Sequence, residues 1–202
     1  MVSLHMLQDW VIKNYIELLG LITSVLFTVL SIRQKPAAWL FGILSAIFYA
    51  IVFYHAKLYA STALQGYYFA ISIYGWYYWI KGSKGEGTGH DLAVQKISLK
   101  LAIIGLICAL PINVLLWWIL SLMNDSYPVL DSLTTTISII ATWMLARKYM
   151  ENWILWIVND IISIGLYVYI KLYPTTVLFV IYTVLAIVGY IEWKKDYKTI
   201  KC

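Results

Sequence analysis

Runs of about 20 mostly apolar residues alternate with short polar or proline-marked turns along most of the chain. Each run is long enough to cross the hydrocarbon core of a bilayer as a helix. The single long connection, 82–99, holds four glycines and several charges. The pattern therefore predicts an all-α integral membrane protein with seven transmembrane helices. The predicted spans are 15–32, 37–55, 58–80, 100–122, 127–146, 152–171 and 174–193.

The composition supports this class. Of the 202 residues, 62% are hydrophobic and 12% are charged, whereas a soluble domain has about 25% charged residues. The ten tryptophans are more than interfacial belts require. Cys108 and Cys202 form no CxxC motif and predict no disulfide framework. The first ten residues lack a basic segment, so no cleavable signal peptide is expected.

The net charge of +5 follows the membrane topology, because the basic residues fall at the ends of the predicted spans. Twelve Lys and Arg residues lie on one side and three on the other. The positive-inside rule then predicts a multi-pass protein of the cell (inner) membrane, with its N-terminus outside and its C-terminus in the cytoplasm. The lipid bilayer is thus an expected partner and nucleic acid is not.

An internal repeat appears when the chain is shifted by 114 residues: 17–81 then aligns with 131–195 without a gap. Trp39 meets Trp153, and the match continues at Arg, Lys, Tyr and Gly positions. Each repeat has three spans, and the single span between them, 100–122, makes the two halves parallel. This 3+1+3 arrangement is a transporter layout, in which substrate is held near mid-membrane where the halves meet. The predicted regions are an N-terminal extracytoplasmic segment (1–14), the first repeat (15–81), a cytoplasmic linker (82–99), a central linking helix (100–122), the second repeat (127–195) and a cytoplasmic tail (196–202).

The sixth span contains a carboxylate, Asp160, well inside an apolar run. A charge at that depth is costly unless it faces a polar interior or a partner. Trp153 and Trp156 share its helical face, with Asn159 alongside, and the same stripe continues through Ser163 and Tyr167. Aromatic faces stack on flat rings and attract cations. The stripe predicts a pocket for a planar, polar small molecule, with a cation favoured; an interfacial Trp pair with an Asp bonded to a neighbouring helix is the alternative.

A second polar stripe, Gln65, Tyr68 and Ser72, lies on the third span and is a further candidate for substrate binding. Hydrogen bonding between helices is its structural alternative. Asn113, beside Pro111 on the fourth span, either binds ligand or caps carbonyls freed by the proline. The three histidines are scattered and no catalytic motif is present. We therefore expect no metal, no cofactor and no enzymatic activity.

The stretch Trp153-x-x-Trp156-x-x-Asn159-Asp160, together with the aromatic stretch 74–79 and the 3+1+3 layout, resembles the Pnu vitamin transporters over about residues 15–195. The resemblance implies a fold related to the SWEET sugar transporters. It also implies facilitated diffusion without ATP or ion coupling, with uptake drawn by cytoplasmic phosphorylation of the vitamin. It further implies that the matching residues bind substrate and that the protein can form homotrimers.

Members of this family are assigned to nicotinamide riboside, thiamine or riboflavin. The first two carry a cationic ring that suits tryptophan faces and one carboxylate, so we rank nicotinamide riboside first, thiamine second and neutral riboflavin third. Phosphorylated forms should be excluded, because the site has a carboxylate and no mid-membrane Arg or Lys. Two alternatives stay open: a non-transporting receptor or assembly subunit, and a carrier that couples to protons through Asp160.

Overall fold

The computed structural model describes residues 4–55, 59–82 and 92–201, and these residues form seven α-helices with no β-strand. This confirms the all-α prediction and the number of helices. In chain order the helices are α1 (Leu4–Ile32), α2 (Ala38–His55), α3 (Tyr59–Gly82), α4 (Leu99–Leu122), α5 (Pro128–Ala146), α6 (Asn152–Tyr169) and α7 (Tyr173–Lys201).

Six of the helices in the described part of the chain are long and apolar enough to span a membrane, and α3 falls short on hydropathy. The reason lies in its composition: α3 contains Gln65 and Ser72 as well as six tyrosines, whose rings end in polar atoms. The sequence prediction counted α3 as a span by its length. Its polar content instead distinguishes it from the other six.

The terminal helices are longer than the apolar runs that predicted them. α1 begins at Leu4, so most of the predicted segment 1–14 is helical, and α7 continues to Lys201 through the predicted tail. Hydropathy detects only the lipid-facing part of a helix, whereas backbone hydrogen bonding continues into polar sequence. In α7 this extension is highly charged, and Lys195 forms an exposed ion pair with Glu192 at 2.9 Å.

The chain divides into two compact units, Met1–Ile80 and Lys81–Cys202. The first holds α1–α3. The second holds α4–α7, and in it α5 packs against both α4 and α6, while α6 packs against α7. The central linking helix therefore belongs structurally with the second three-helix repeat. No side chain of α4 is buried, as expected for a helix that faces lipid over most of its surface.

The corner between the first two helices is built identically in both repeats. Gln34 has a φ of 55° and Lys148, its counterpart 114 residues later, has a φ of 56°. In both corners the next amide donates to the carbonyl five residues earlier, at 3.0 Å. This left-handed helix end usually takes glycine; here Gln and Lys form it at matched positions of the two predicted repeats, and Asn124 and Lys171 form it at two other helix ends.

A pair of tryptophans packs between the second and third helices of each repeat. In the first unit, the Trp39 ring stands edge-on to Trp79, with 5.4 Å between centroids and 88° between planes. Gly75 permits this packing, because a Cβ on Gly75 would lie 2.5 Å from the Trp39 ring. The second unit repeats the arrangement 114 residues later, so the register of the first repeat's α2 against α3 matches that of α6 against α7.

The described part of the linker, 92–98, docks on the corner between α5 and α6. Gln95 forms a parallel bridge with Tyr149, and the buried Lys148 donates from Nζ to the Leu92 carbonyl at 2.6 Å. The Ile97 amide donates to the Glu151 carboxylate at 3.1 Å. The sequence predicted only a cytoplasmic linker over 82–99; the glycine-rich part of that linker, 83–91, lies outside the described residues.

Candidate substrate-binding site

The Asp160 carboxylate is buried on α6, with the residue only 4% exposed. Within the described residues, no group donates a hydrogen bond to it and no basic side chain pairs with it. Burial of a charge without a partner costs several kcal/mol, so this carboxyl group is protonated, is satisfied by a group that enters the protein, or destabilises the fold.

Asn159 lies beside Asp160 and is 5% exposed. Its side-chain oxygen, Oδ1, is buried and accepts no hydrogen bond from the residues that the structure describes. Its backbone carbonyl accepts a bond from the Ser163 hydroxyl at 2.9 Å. The Ser163 hydroxyl thus donates its hydrogen bond within the helix. The Asn159 Oδ1 has no donor among the described residues, whereas buried acceptors in native proteins usually have one.

The two tryptophans of the stretch occupy different environments. Trp153 is 2% exposed and stands edge-on to Trp193, with 5.6 Å between ring centroids and 87° between planes. A Cβ on Gly189 would lie 2.7 Å from its ring, so α7 encloses it. Trp156 is only partly buried, and no other aromatic ring of the described chain packs on it. Trp156 thus lacks the aromatic enclosure that surrounds Trp153.

Tyr167 lies at the far end of the stripe, where its ring stacks on Phe179 of α7 at 5.2 Å and 26°. The ring is half-buried. This packing fixes the ring plane against the neighbouring helix.

Asn113 of α4 faces α5. Its amide donates to the hydroxyls of Thr136, at 3.3 Å, and Ser132, at 3.5 Å. Pro111 lies inside an unbroken α4. The structure therefore shows an interhelical bond that the sequence did not predict, and Asn113 contributes to the α4–α5 contact.

The three candidates on α3 belong to the first unit. Gln65 is half-buried and makes no hydrogen bond within the described residues. The Tyr68 ring lies 5.6 Å from the Tyr67 ring. Ser72 is buried against α2, where its hydroxyl would lie 2.8 Å from a Cβ on Gly42. Gln65 thus keeps a polar group without a partner among the described residues.

Ser138 is a polar residue outside the candidates that were predicted from the sequence. It is buried on α5, which packs against α6, and its hydroxyl makes no hydrogen bond within the described residues. Ser24, its counterpart in the first repeat, donates to the Leu21 carbonyl at 2.8 Å. A hydroxyl left free in one repeat and bonded in the other is a signal that only coordinates reveal.

The described residues contain no group of three or more His, Cys, Asp or Glu side chains that could hold a metal ion. The site on α6 instead combines one carboxylate, one amide oxygen and one available indole face. This chemistry suits an organic cation that carries hydrogen-bond donors.

Comparison with known proteins agrees with this chemistry. The chain is 27% identical to the nicotinamide riboside transporter PnuC of Escherichia coli, an alignment that covers 89% of this chain and 85% of that protein. It is 28% identical to PnuC of Neisseria mucosa, covering 90% and 73%, and 24% identical to the riboflavin/roseoflavin transporter RibM of Streptomyces davaonensis, covering 88% and 83%.

The fold is also that of a solved structure, the crystal structure of the vitamin B3 transporter PnuC. The TM-score is 0.74 at 25% sequence identity, and the match covers 92% of this chain and 83% of that one. The family described as nicotinamide mononucleotide transporter matches residues 14–195. The chain belongs to this family of membrane transporters.

Proposed function

We propose that this protein is a facilitative transporter that takes up nicotinamide riboside, which is then trapped by phosphorylation in the cytoplasm. The observation that carries the proposal is the buried carboxylate of Asp160, which has no partner within the described residues, one helical turn from the partly exposed Trp156.

A cationic ring satisfies both groups at once. The pyridinium of nicotinamide riboside supplies the missing counter-charge for Asp160, and an indole face attracts a desolvated cation by about 0.5–2 kcal/mol. The free Oδ1 of Asn159 can accept a hydrogen bond from an amide or a ribose hydroxyl. Trp153 is placed outside the contact surface in this proposal, because α7 already encloses its ring.

Nicotinamide riboside is preferred to the other vitamins of the family for two reasons. The relatives from Escherichia coli and Neisseria mucosa are named as transporters of this compound. Riboflavin, which RibM is named for, is neutral and would leave the Asp160 carboxylate uncompensated. Thiamine, which is also a cation, is the second candidate, and the α6 chemistry alone does not separate it from the riboside.

The mononucleotide is excluded in this proposal, although the family description names it. Its phosphate would enter a site with an unpaired carboxylate, and α5 and α6 contain no Lys or Arg between Pro128 and Ala146 or between Asn152 and Tyr169. Like charges in a low-dielectric interior repel strongly.

The proposed orientation has the N-terminus outside and the C-terminus in the cytoplasm, from the distribution of Lys and Arg. Accessibility of single cysteines to a membrane-impermeant reagent tests it. The homotrimer implied by the family resemblance stays a prediction, and the mass of the detergent-solubilised protein tests it.

Counterflow in proteoliposomes tests the transport activity. Vesicles loaded with nicotinamide riboside should accumulate labelled riboside faster than empty liposomes, and an imposed pH gradient should not change the rate. Counterflow equal to that of empty liposomes would favour the receptor or assembly subunit. A rate that follows the pH gradient would favour proton coupling.

A further inference from the structure

The two repeats differ in how they fill the space between their first and second helices. In the first unit the Tyr49 ring of α2 lies on Gly20 of α1, and a Cβ on Gly20 would be 3.2 Å from that ring. A side chain at position 20 would therefore meet the ring more closely than ordinary van der Waals packing allows. The phenol ring and the glycine therefore form a matched pair, in which the missing side chain makes room for the ring.

Both members of this pair change in the second unit. Shifted by 114 residues, Tyr49 becomes Ser163 and Gly20 becomes Thr134. The helical register is the same in both repeats, as the shared corner geometry and the paired tryptophans establish. Ser163 therefore occupies the position from which the Tyr49 ring projects, and the ring has no counterpart there.

One layer closer to the corner, the lost ring is replaced. In the first unit a Cβ on Gly42 would lie 3.1 Å from the Phe27 ring. The counterparts in the second unit are Trp156 and Ala141, so an aromatic ring is still supplied, from the second helix of the repeat rather than the first. Of these two layers, the layer of Ser163 loses its ring without receiving another.

The vacated layer is next to the polar groups of α6. Asn159 and Asp160 precede Ser163 by one helical turn, and both are more than nine-tenths buried. The Asn159 Oδ1 has no donor within the described residues. The layer that lacks the aromatic ring thus adjoins an acceptor and a carboxylate that have no protein partners in the described chain.

We propose that the flat ring of the substrate occupies, in the second unit, the volume that Tyr49 fills in the first, and that Thr134 and Ser163 set the size of ring that the site accepts. This inference rests on the proposed function and adds the position of the ring and its size limit.

The test rebuilds the first-unit pair in the second unit with the double variant Thr134→Gly/Ser163→Tyr. Isothermal titration of the purified full-length protein with nicotinamide riboside should show at least about a tenfold loss of affinity, with a thermal midpoint equal to or above that of the wild type. Thr134→Gly alone should lower the affinity less than the double variant does. The matched control is Tyr49→Phe in the first unit, which keeps its ring and should also bind within about threefold.

A graded series covers the case in which the double variant does not fold. Affinity should fall in the order Ser163→Ala, Ser163→Val, Ser163→Leu as the side chain grows. Riboside affinity that does not depend on side-chain volume at 163, or a folded double variant that binds within about threefold of the wild type, overturns the inference.

Failure of the proposed function has a different signature, because the wild type itself would then bind no riboside. The wild type could instead bind riboside, with binding lost in Asp160→Asn but retained in Thr134→Gly/Ser163→Tyr. That result would support the proposed function and contradict only the inferred position of the ring.

Discussion

The indole of Trp153 stands edge-on to that of Trp193, with 5.6 Å between ring centroids and 87° between planes. The same relationship joins Trp39 to Trp79, at 5.4 Å and 88°. The first tryptophan of the Trp-x-x-Trp stretch thus has a structural counterpart in the other repeat, whereas the counterpart of Trp156 is a glycine, Gly42. The two tryptophans of one short motif consequently have different roles in our interpretation: one closes the repeat, and the other offers its face to substrate.

The contact of Gly189 with Trp153 predicts that Gly189→Ala destabilises the protein. The added Cβ would lie 2.7 Å from the indole, and overpacking of this kind costs about 1–3 kcal/mol. A lower thermal midpoint in detergent is the expected result, with a similar loss for Gly75→Ala. Gly165→Ala on α6 is the control, because nothing lies within 4 Å of its Cβ position; an equal loss in that variant would contradict this explanation.

Trp153→Ala and Trp156→Ala should separate stability from binding. Removal of the buried Trp153 ring should cost about 3–5 kcal/mol of unfolding free energy, as should the matched Trp39→Ala. Trp156→Ala should cost less stability, because the ring is partly exposed, yet should weaken riboside binding by about tenfold or more. Thermal midpoints and titration calorimetry on the same preparations check both expectations. Loss of binding without loss of stability in Trp153→Ala would return Trp153 to the contact surface.

Asp160→Asn should weaken riboside binding while leaving the ligand-free protein as stable as the wild type or more stable. The substitution keeps the shape of the side chain and removes a buried charge that has no partner in the described chain, whose burial costs several kcal/mol. Thermal midpoints with and without riboside measure both effects. Glu192→Gln, which removes an exposed carboxylate paired with Lys195, is the control and should change neither quantity much. A large fall in ligand-free stability in Asp160→Asn would indicate a structural partner for the carboxylate.

Proteoliposomes should take up nicotinamide riboside and not its mononucleotide. The added phosphate meets the Asp160 carboxylate with no basic side chain on α5 or α6 to offset it. Uptake of the two labelled compounds under identical conditions is the measurement. Equal rates would refute the exclusion and would favour the compound that the family description names.

Asn113→Leu should lower stability and leave riboside affinity within about threefold of the wild type. The amide bonds to Thr136 and Ser132 join α4 to α5, and such interhelical bonds are worth about 0.6 kcal/mol on average. Thermal midpoint and affinity are measured together. A large loss of affinity at unchanged stability would instead identify Asn113 as a ligand contact.

Much of the fold was predictable because it depends on patterns along the sequence alone. The number of helices follows from the lengths of the apolar runs, and the duplication follows from identities at a constant offset, such as Trp39 with Trp153. The helix ends were predicted less well: α1 and α7 extend into polar sequence, where hydropathy carries no signal. The docked segment 92–98 was not anticipated either, because its bonds join it to the distant corner at Lys148 and Tyr149.

For the site, the sequence by itself determined which chemistry is present: a carboxylate, an amide and two tryptophans on one face of the sixth helix, since residues three, four and seven apart share a helical face. Only the tertiary structure decided which of these side chains already pack against or bond to other parts of the protein. Trp153 is enclosed by α7, Asn113 is bonded to α5, and Asp160 and Asn159 keep polar atoms without partners in the described chain. The physical reason is that a side chain's free surface and unpaired atoms depend on residues far away in sequence, and the helical repeat of a single segment contains no information about them.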